Sequence, residues 1–309
     1  MSNKNASFGA LVEDLKVSFK FAAKNIISFL LGTIGVVLVS VVVLVLFMIA
    51  AFIPMLILLG GWEGLAIYFM NLGVVLEDVF TSGSIMNPAA FGAMAFIIAI
   101  IASPFFIAIG ALFGMGREIV ESEGTTAEGV FVWYRKEFFS LAGTGILLLL
   151  IVLLPLLMLY GTAFAIIGFE LPNILNAVIA TISGLWLVIS LGLSLMVFPA
   201  VIDGLSVFDA FKESFRLSIR HFDRVFSLWL SFLGMLVICI VPPLAGFEVL
   251  GEAGAIVIGI MTLPLAVFLL LLYFPALVIA SNRLYLIFSG IEVTVQEPGD
   301  PDLSFIGGV

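Results

Sequence analysis

The stretch FPAVIDGLSVFDAFKESFRLSIRHFDRVF, Phe198 to Phe226, gathers most of the side chains in this sequence that could do chemistry. It holds the only histidine, His221, the acids Asp203, Asp209, Glu213 and Asp223, and a ladder of cations four residues apart, Lys212, Arg216, Arg220 and Arg224. The acids lie close along one helix and have the ligand chemistry for a divalent ion, but the neighbouring cations neutralise them. His221 has no second histidine or neighbouring cysteine with which to hold zinc or haem. An imidazole satisfied near a membrane interface is the expected role. No phosphate-binding glycine loop, nucleophile elbow or zincin motif occurs. These residues lead to the expectation of no enzymatic activity, no metal or cofactor, and no nucleic-acid partner.

The elements that must position this ladder are apolar helices. The 309 residues are 63% hydrophobic and 11% charged, with a mean hydropathy of +1.31. Soluble domains are roughly half apolar and a quarter charged. A helix crosses about 30 Å of hydrocarbon in about 20 residues, and six runs qualify: near Ile26 to Leu59, Ala90 to Phe113, Phe138 to Phe164, Ile174 to Ile202, Phe226 to Ala245 and Ala255 to Ala280. The alternating ten-residue segments of an outer-membrane barrel are missing. The expected fold is an all-α polytopic bundle over residues 1–290, followed by an acidic, flexible cytoplasmic tail at 291–309. Glu13 and Asp14 precede a first run too long for a signal-peptide core, so a retained anchor is expected. Cys239, in an apolar run, has no partner for a disulfide within the chain.

With six spans and both termini on one side, all twelve Lys and Arg fall on that side. The positive-inside rule makes it the cytoplasm and the protein a multi-pass component of the cell membrane. Only acids such as Glu63, Glu77, Asp78, Glu170, Glu248 and Glu252 remain for the other side. The short apolar segment Gly64 to Leu76 would scatter the cations if it spanned, and is expected as an outer-face interfacial or re-entrant helix.

The ladder has relatives in the chain. Aligning LKVSFKFAAKNIISF (Leu15 to Phe29) with FKESFRLSIRHFDRV (Phe211 to Val225) matches Lys16 with Lys212, Ser18 with Ser214, Phe19 with Phe215, Lys20 with Arg216 and Lys24 with Arg220. A weaker third copy runs from Thr125 to Leu141, with Lys136 in place of Lys24 and Ser140 in place of Ser28. Return spans carry Pro104, Pro199 and Pro275 toward the same side. Three repeats follow, near 8–120, 121–203 and 204–290, each an amphipathic entry helix and a helical hairpin. At about 100° per residue, Val207, Phe208, Phe211, Phe215, Ile219, Phe222 and Phe226 share a face opposite the cations. Leu11, Leu15, Phe19, Ala22 and Ile26 do the same opposite Lys16, Lys20 and Lys24. Such helices lie in the interface, with apolar side chains in the acyl boundary and cations at lipid phosphates. The expected contacts to lipid headgroups or a partner are Lys16, Lys20, Lys24, Arg135, Lys136, Lys212, Arg216, Arg220 and Arg224. A topology anchor with local salt bridges, such as Glu213 to Arg216, accounts for the same pattern.

None of the six runs contains Asp, Glu, Lys, Arg or His, which argues against a proton- or sodium-coupled carrier, because intramembrane charge persists where it is used. Around Pro199, Ala200, Gly204, Ala210, Phe211, Ser214, Phe215 and Arg216 the chain resembles a mostly uncharacterised group of bacterial and archaeal membrane proteins. These are related to the membrane domain beside glycerophosphodiester phosphodiesterases. The resemblance implies the membrane fold without the soluble catalytic domain, and no catalytic residue. The expected function is a non-catalytic membrane scaffold or accessory subunit, contacting anionic inner-leaflet lipid, a membrane-protein partner or another copy of itself. The alternative is a channel or carrier for an apolar or amphiphilic solute such as lipid, lined by residues such as Ser103, Thr144, Thr181 and Ser194.

Overall fold

A computed structural model of the chain describes residues 8–82, 88–122, 125, 128–167, 172–250, 262 and 264–290. Among them every regular element is helical: α1 (Phe8–Lys24), α2 (Ile26–Leu58), α3 (Trp62–Ser82), α4 (Pro88–Ser122), α5 (Gly129–Ile167), α6 (Asn173–Leu193), α7 (Val197–Ile202), α8 (Val207–Arg220), α9 (Phe222–Leu250), a π-helical turn at Leu269–Tyr273, and α10 (Phe274–Ser289). Six helical segments are long and apolar enough to cross a bilayer: Ile26–Leu58, Ala102–Ser122, Gly129–Ile167, Ile174–Ile202, Phe222–Ile240 and Pro264–Ser289. The chain therefore has the helices of a multi-pass membrane protein. On α2, Val37, Leu38, Val41, Val42, Val45 and Leu46 are all more than half exposed, a contiguous apolar surface that only lipid or protein would cover.

The helices differ from the apolar runs at their ends. α4 continues through Arg117 and Glu121 to Ser122, and the last span continues through Arg283. The segment Gly64 to Leu76 is the middle of the longer α3, which is not among the six. The proposed tail at 291–309 and the start of the sixth apolar run lie outside the described residues. Prolines are handled in two ways. α2, α4 and α5 carry Pro54, Pro104 and Pro155 inside the helix. Pro199 instead sits in the first turn of α7, after α6 has stopped at Leu193, and Pro275 follows the π turn. In both latter places the ring avoids a clash with a regular preceding turn.

Residue contacts divide the chain into two units, one of Met1–Thr33, Ala111–Glu137 and Leu195–Val309, the other of Ile34–Gly110 and Phe138–Ser194. Every Lys and Arg in the sequence belongs to the first unit; the second has none. Within the first, α1 packs on α9, the π turn and α10, while α8 packs on α7 and α9. Aromatic rings fill these junctions. Phe19 stacks on Phe232 at 5.9 Å, and Tyr273 meets Phe232 edge-on while its hydroxyl donates to the Phe232 carbonyl at 3.0 Å. Phe113 of α4 stacks on Phe198 of α7 at 4.8 Å. Asn282 donates to the carbonyl of Phe113 at 3.0 Å, close against Gly116, where a Cβ would lie 2.9 Å from the amide nitrogen.

The second unit has a small core of Val43, Ile107 and Ala142, with Val39 and Phe138 packed on it. Gly145 of α5 abuts the backbone carbonyl of Phe106 on α4, leaving no space for a Cβ. Small residues permit this kind of backbone approach between membrane helices. Trp186 of α6 donates its indole N–H to the Val152 carbonyl at 3.3 Å. Gly145→Ala should therefore force the helices apart and cost about 1–3 kcal/mol. Gly161→Ala, where a Cβ meets nothing within 4 Å, should be neutral or stabilising by up to about 1 kcal/mol. Melting temperatures in one mild detergent check the pair; equal effects would contradict the close approach.

Candidate functional site

α1 buries Asp14, Ser18, Phe21 and Ala22, the i, i+4, i+7, i+8 face of a helix. An acid thus sits on its inward side. Asp14 is 2% exposed and is gripped by Arg224 of α9, with Nε 2.9 Å from Oδ2 and Nη2 3.0 Å from Oδ1. Arg283 of α10 approaches from another side, with Nε 3.5 Å from Asp14 Oδ1 and Nη2 3.2 Å from Glu13 Oε1. Burial pushes the Asp14 carboxyl up from its ordinary value, against the opposing pull of Arg224 and Arg283. The Arg224 guanidinium also lies 5.7 Å over the Phe288 ring. His221 stacks flat on that ring at 4.1 Å.

A second polar centre joins α4, α7 and α10. Arg117 pairs with Glu121 one turn on and reaches Asp203 Oδ1 at 3.3 Å. Asp203 closes α7 and accepts from the Tyr285 hydroxyl at 3.1 Å. Nearby on α4, Glu118 accepts from Thr125 Oγ1 at 2.6 Å and from Trp133 Nε1 at 2.9 Å. Asn282 Oδ1 and the Nη1 atoms of Arg117 and Arg283 are buried without a hydrogen-bond partner.

The expected surface cations divide. Lys16, Lys20 and Lys24 on α1, Arg135 and Lys136 at the start of α5, and Lys212, Arg216 and Arg220 on α8 are exposed. Lys136 Nζ sits 4.8 Å over the Trp133 ring, and Arg216 donates to Glu213 at 2.6 Å. Arg224 instead turns inward to Asp14. The apolar face expected for α8 also divides. The helix buries Ala210, Phe211, Ser214, Leu217 and Ser218 against protein, and Phe226 is buried as well. Phe208, Ile219 and Phe222 remain exposed at 77%, 65% and 53%. The serines make this possible: Ser214 Oγ is buried but accepts from the Met196 N–H at 3.2 Å.

The acids of the opening stretch do not converge. Asp203 serves Arg117 and Tyr285, Asp209 receives Ser206 Oγ at 2.5 Å as part of the α8 N-cap, and Glu213 holds Arg216. Among the described residues no three His, Cys, Asp or Glu side chains cluster as metal ligands. The centre on Asp14, and the roles of Glu13, Arg117, Arg283 and Tyr285, went unread in the sequence. The available signal was the i+4 spacing of Asp14 with Ser18 and Ala22, which places the acid on the packed face.

Replacing Asp14 with alanine leaves two nearly buried guanidiniums without their shared acceptor, a change that costs about 3–5 kcal/mol. Asp14→Ala should lose most folded protein on size-exclusion chromatography, while Lys212→Ala, at an exposed position, should elute as the parent does. His221 is held below its ordinary value by burial and by Arg220 and Arg224. The unfolded chain then binds the proton more readily. Stability from this group is full above the ordinary histidine pKa of about 6.5 and is lost as pH falls through the folded value. Between pH values above and below that point, the parent should lose more melting temperature than His221→Gln.

Comparison with protein-family models, with curated proteins and with solved structures finds no match to this chain.

Proposed function

We propose that the chain is a non-catalytic integral membrane scaffold or accessory subunit, oriented with its cation-bearing unit at the cytoplasmic face. One observation carries this reading. The nearly buried Asp and Arg side chains are engaged in ties between helices, Asp14 with Arg224 and Arg283, and Arg117 with the more exposed Asp203, whereas the remaining described cations lie on the surface. Charge used in this way holds helices and marks a face. The confinement of every Lys and Arg to one contact unit supports the orientation through the positive-inside rule.

A threefold repeat underlies this reading. The register that pairs Lys16 with Lys212 also pairs Phe21 with Leu217 and Ala22 with Ser218, all buried, and Asn25 with His221, the residue at which each entry helix ends and its span begins. Pairing Lys24 with Lys136 brings Glu137 to that same position, where α5 loses helical geometry at φ −134° and ψ 25°. Trp133 and Tyr134 then fall on the buried positions of Phe21 and Ala22. The resemblance to the membrane domain found beside glycerophosphodiester phosphodiesterases accords with such a module lacking its enzyme.

A carrier for an amphiphilic solute is the second reading. Its support is a line of buried serines, Ser183 and Ser190 on α6 and Ser194 at its C-terminal cap, of which Ser183 and Ser194 have hydroxyls without partners. The lining first expected is dispersed: Thr144 is buried and bonds the Ser140 carbonyl, whereas Thr181 is exposed. Purification in a lipid-preserving polymer should bring a stoichiometric protein partner, and proteoliposomes should show no saturable flux or turnover. Flux abolished by Ser183→Ala with Ser194→Ala would replace the scaffold with the carrier.

A further inference from the structure

α1 and α8 present exposed strips of the same make. On α1 the strip is Val12, Lys16, Lys20 and Lys24; on α8 it is Phe208, Lys212, Arg216 and Arg220, each in steps of four. The register that pairs Lys16 with Lys212 pairs Val12 with Phe208, so each strip begins apolar and turns basic toward the span. Each four-residue step advances about 40° around a helix. Measured from Val207, Phe208 lies at about 100°, Ile219 at about 120°, Lys212 at about 140°, Arg216 at about 180° and Arg220 at about 220°. The buried set of Ala210, Phe211, Ser214, Leu217 and Ser218 fills the opposite arc, against α7 and α9. Around the exposed half of α8, apolar side chains thus give way to a lysine and then to arginines, with Asp209 at about 200° and Glu213 at about 240° interleaved among the arginines.

That order is the order of a leaflet edge, from acyl chain through phosphate to water. Long basic side chains at such a boundary place their stems in the apolar layer and their charges at the phosphates. The covering surface must also lie where the spans begin. α8 gives way to the apolar α9 at Phe222, and α1 to α2 at Ile26, each after a single intervening residue. We propose that an anionic phospholipid surface docks on the edge of α8 formed by Phe208, Ile219, Lys212 and Arg216, and on the matching edge of α1 formed by Val12, Lys16 and Lys20. Phe208 and Ile219 enter the acyl boundary, Lys212 and Arg216 meet phosphates, and Arg220 faces water. Arg224 is excluded because Asp14 holds it in a nearly buried pair, whereas Arg216, although paired with Glu213, keeps a side chain 67% exposed. This assignment rests on the membrane placement in the proposed function and names the partner of its exposed cations.

The test uses the full chain in a Cys239→Ser background, with a nitroxide at Phe208→Cys or Arg220→Cys. Nanodiscs contain phosphatidylcholine with or without phosphatidylglycerol. Relaxation by oxygen and by a water-soluble nickel chelate reads the depth of each label. In anionic discs the label at 208 should favour oxygen and the label at 220 the nickel chelate. Ile219→Cys supplies a second apolar site should the first variant misfold, with the depth expected at 208. Native mass spectrometry of Lys212→Ala with Arg216→Ala should show retained phosphatidylglycerol falling about five-fold per cation removed. Water exposure at both 208 and 219, or shielding there only when a purified protein partner is added, overturns the docking. Such a result without solute flux leaves the scaffold reading intact, whereas lipid depth at 208 together with flux removes the scaffold and keeps the docking.

Discussion

The arrangement of the cationic unit depends on one acid being held where an acid should not be. Asp14 is 2% exposed, and an isolated carboxylate at such a place carries a desolvation cost of several kcal/mol. It becomes tolerable because guanidiniums from α9 and α10 converge on it. These residues are far apart in sequence, so the contact closes α1 onto the last two spans and fixes the rotation of α1 about its axis. With Asp14 inward, Lys16 and Lys20 point outward. The ion pair thereby determines which face of the entry helix is available to anything outside the protein.

Arg224 shows how the same residue type serves two purposes. It continues the four-residue spacing of Lys212, Arg216 and Arg220, yet it lies beyond His221, where α8 has ended and α9 has begun. Its side chain meets Asp14 and Phe288 rather than the surface. The flat stack of His221 on Phe288 sets that ring under the guanidinium as well. At about 40° per step a continuous helix would itself carry Arg224 to about 260°, beside the buried Leu217 at about 280°. Spacing alone therefore overstates the ladder by one member.

Much of this was legible from composition and period. Six apolar runs gave six candidate spans, and the 3.6-residue pattern gave α1 and α8 as amphipathic helices. The 3.6 period does not distinguish apolar residues that pack on protein from those that meet lipid, because both environments favour the same side chains. Phe211 and Phe208 look alike in sequence, but only Phe211 faces α7 and α9. Nor could charge counting find Asp14, since pairing with Arg224 and Arg283 arises from contacts across more than two hundred residues. Helix ends were also misjudged where hydropathy drops before the backbone stops: α4 and the last span both run on through an arginine.

The entry-helix breaks explain why amphipathic and apolar helices abut with so short a link. An uninterrupted helix from Phe8 to Leu58 would have to keep one axis, and its charged strip would then be carried along the same line as α2. α1 ends at Lys24 and α2 starts at Ile26. The backbone groups at this junction are satisfied locally: the Asn25 amide N–H donates to the Phe21 carbonyl at 3.1 Å, as does the Asn25 side chain. At the other junction the His221 N–H donates to the Leu217 carbonyl at 2.9 Å. The i→i−4 backbone bonds thus run on through Asn25 and His221, and each helix with a basic strip leads directly into one suited to hydrocarbon.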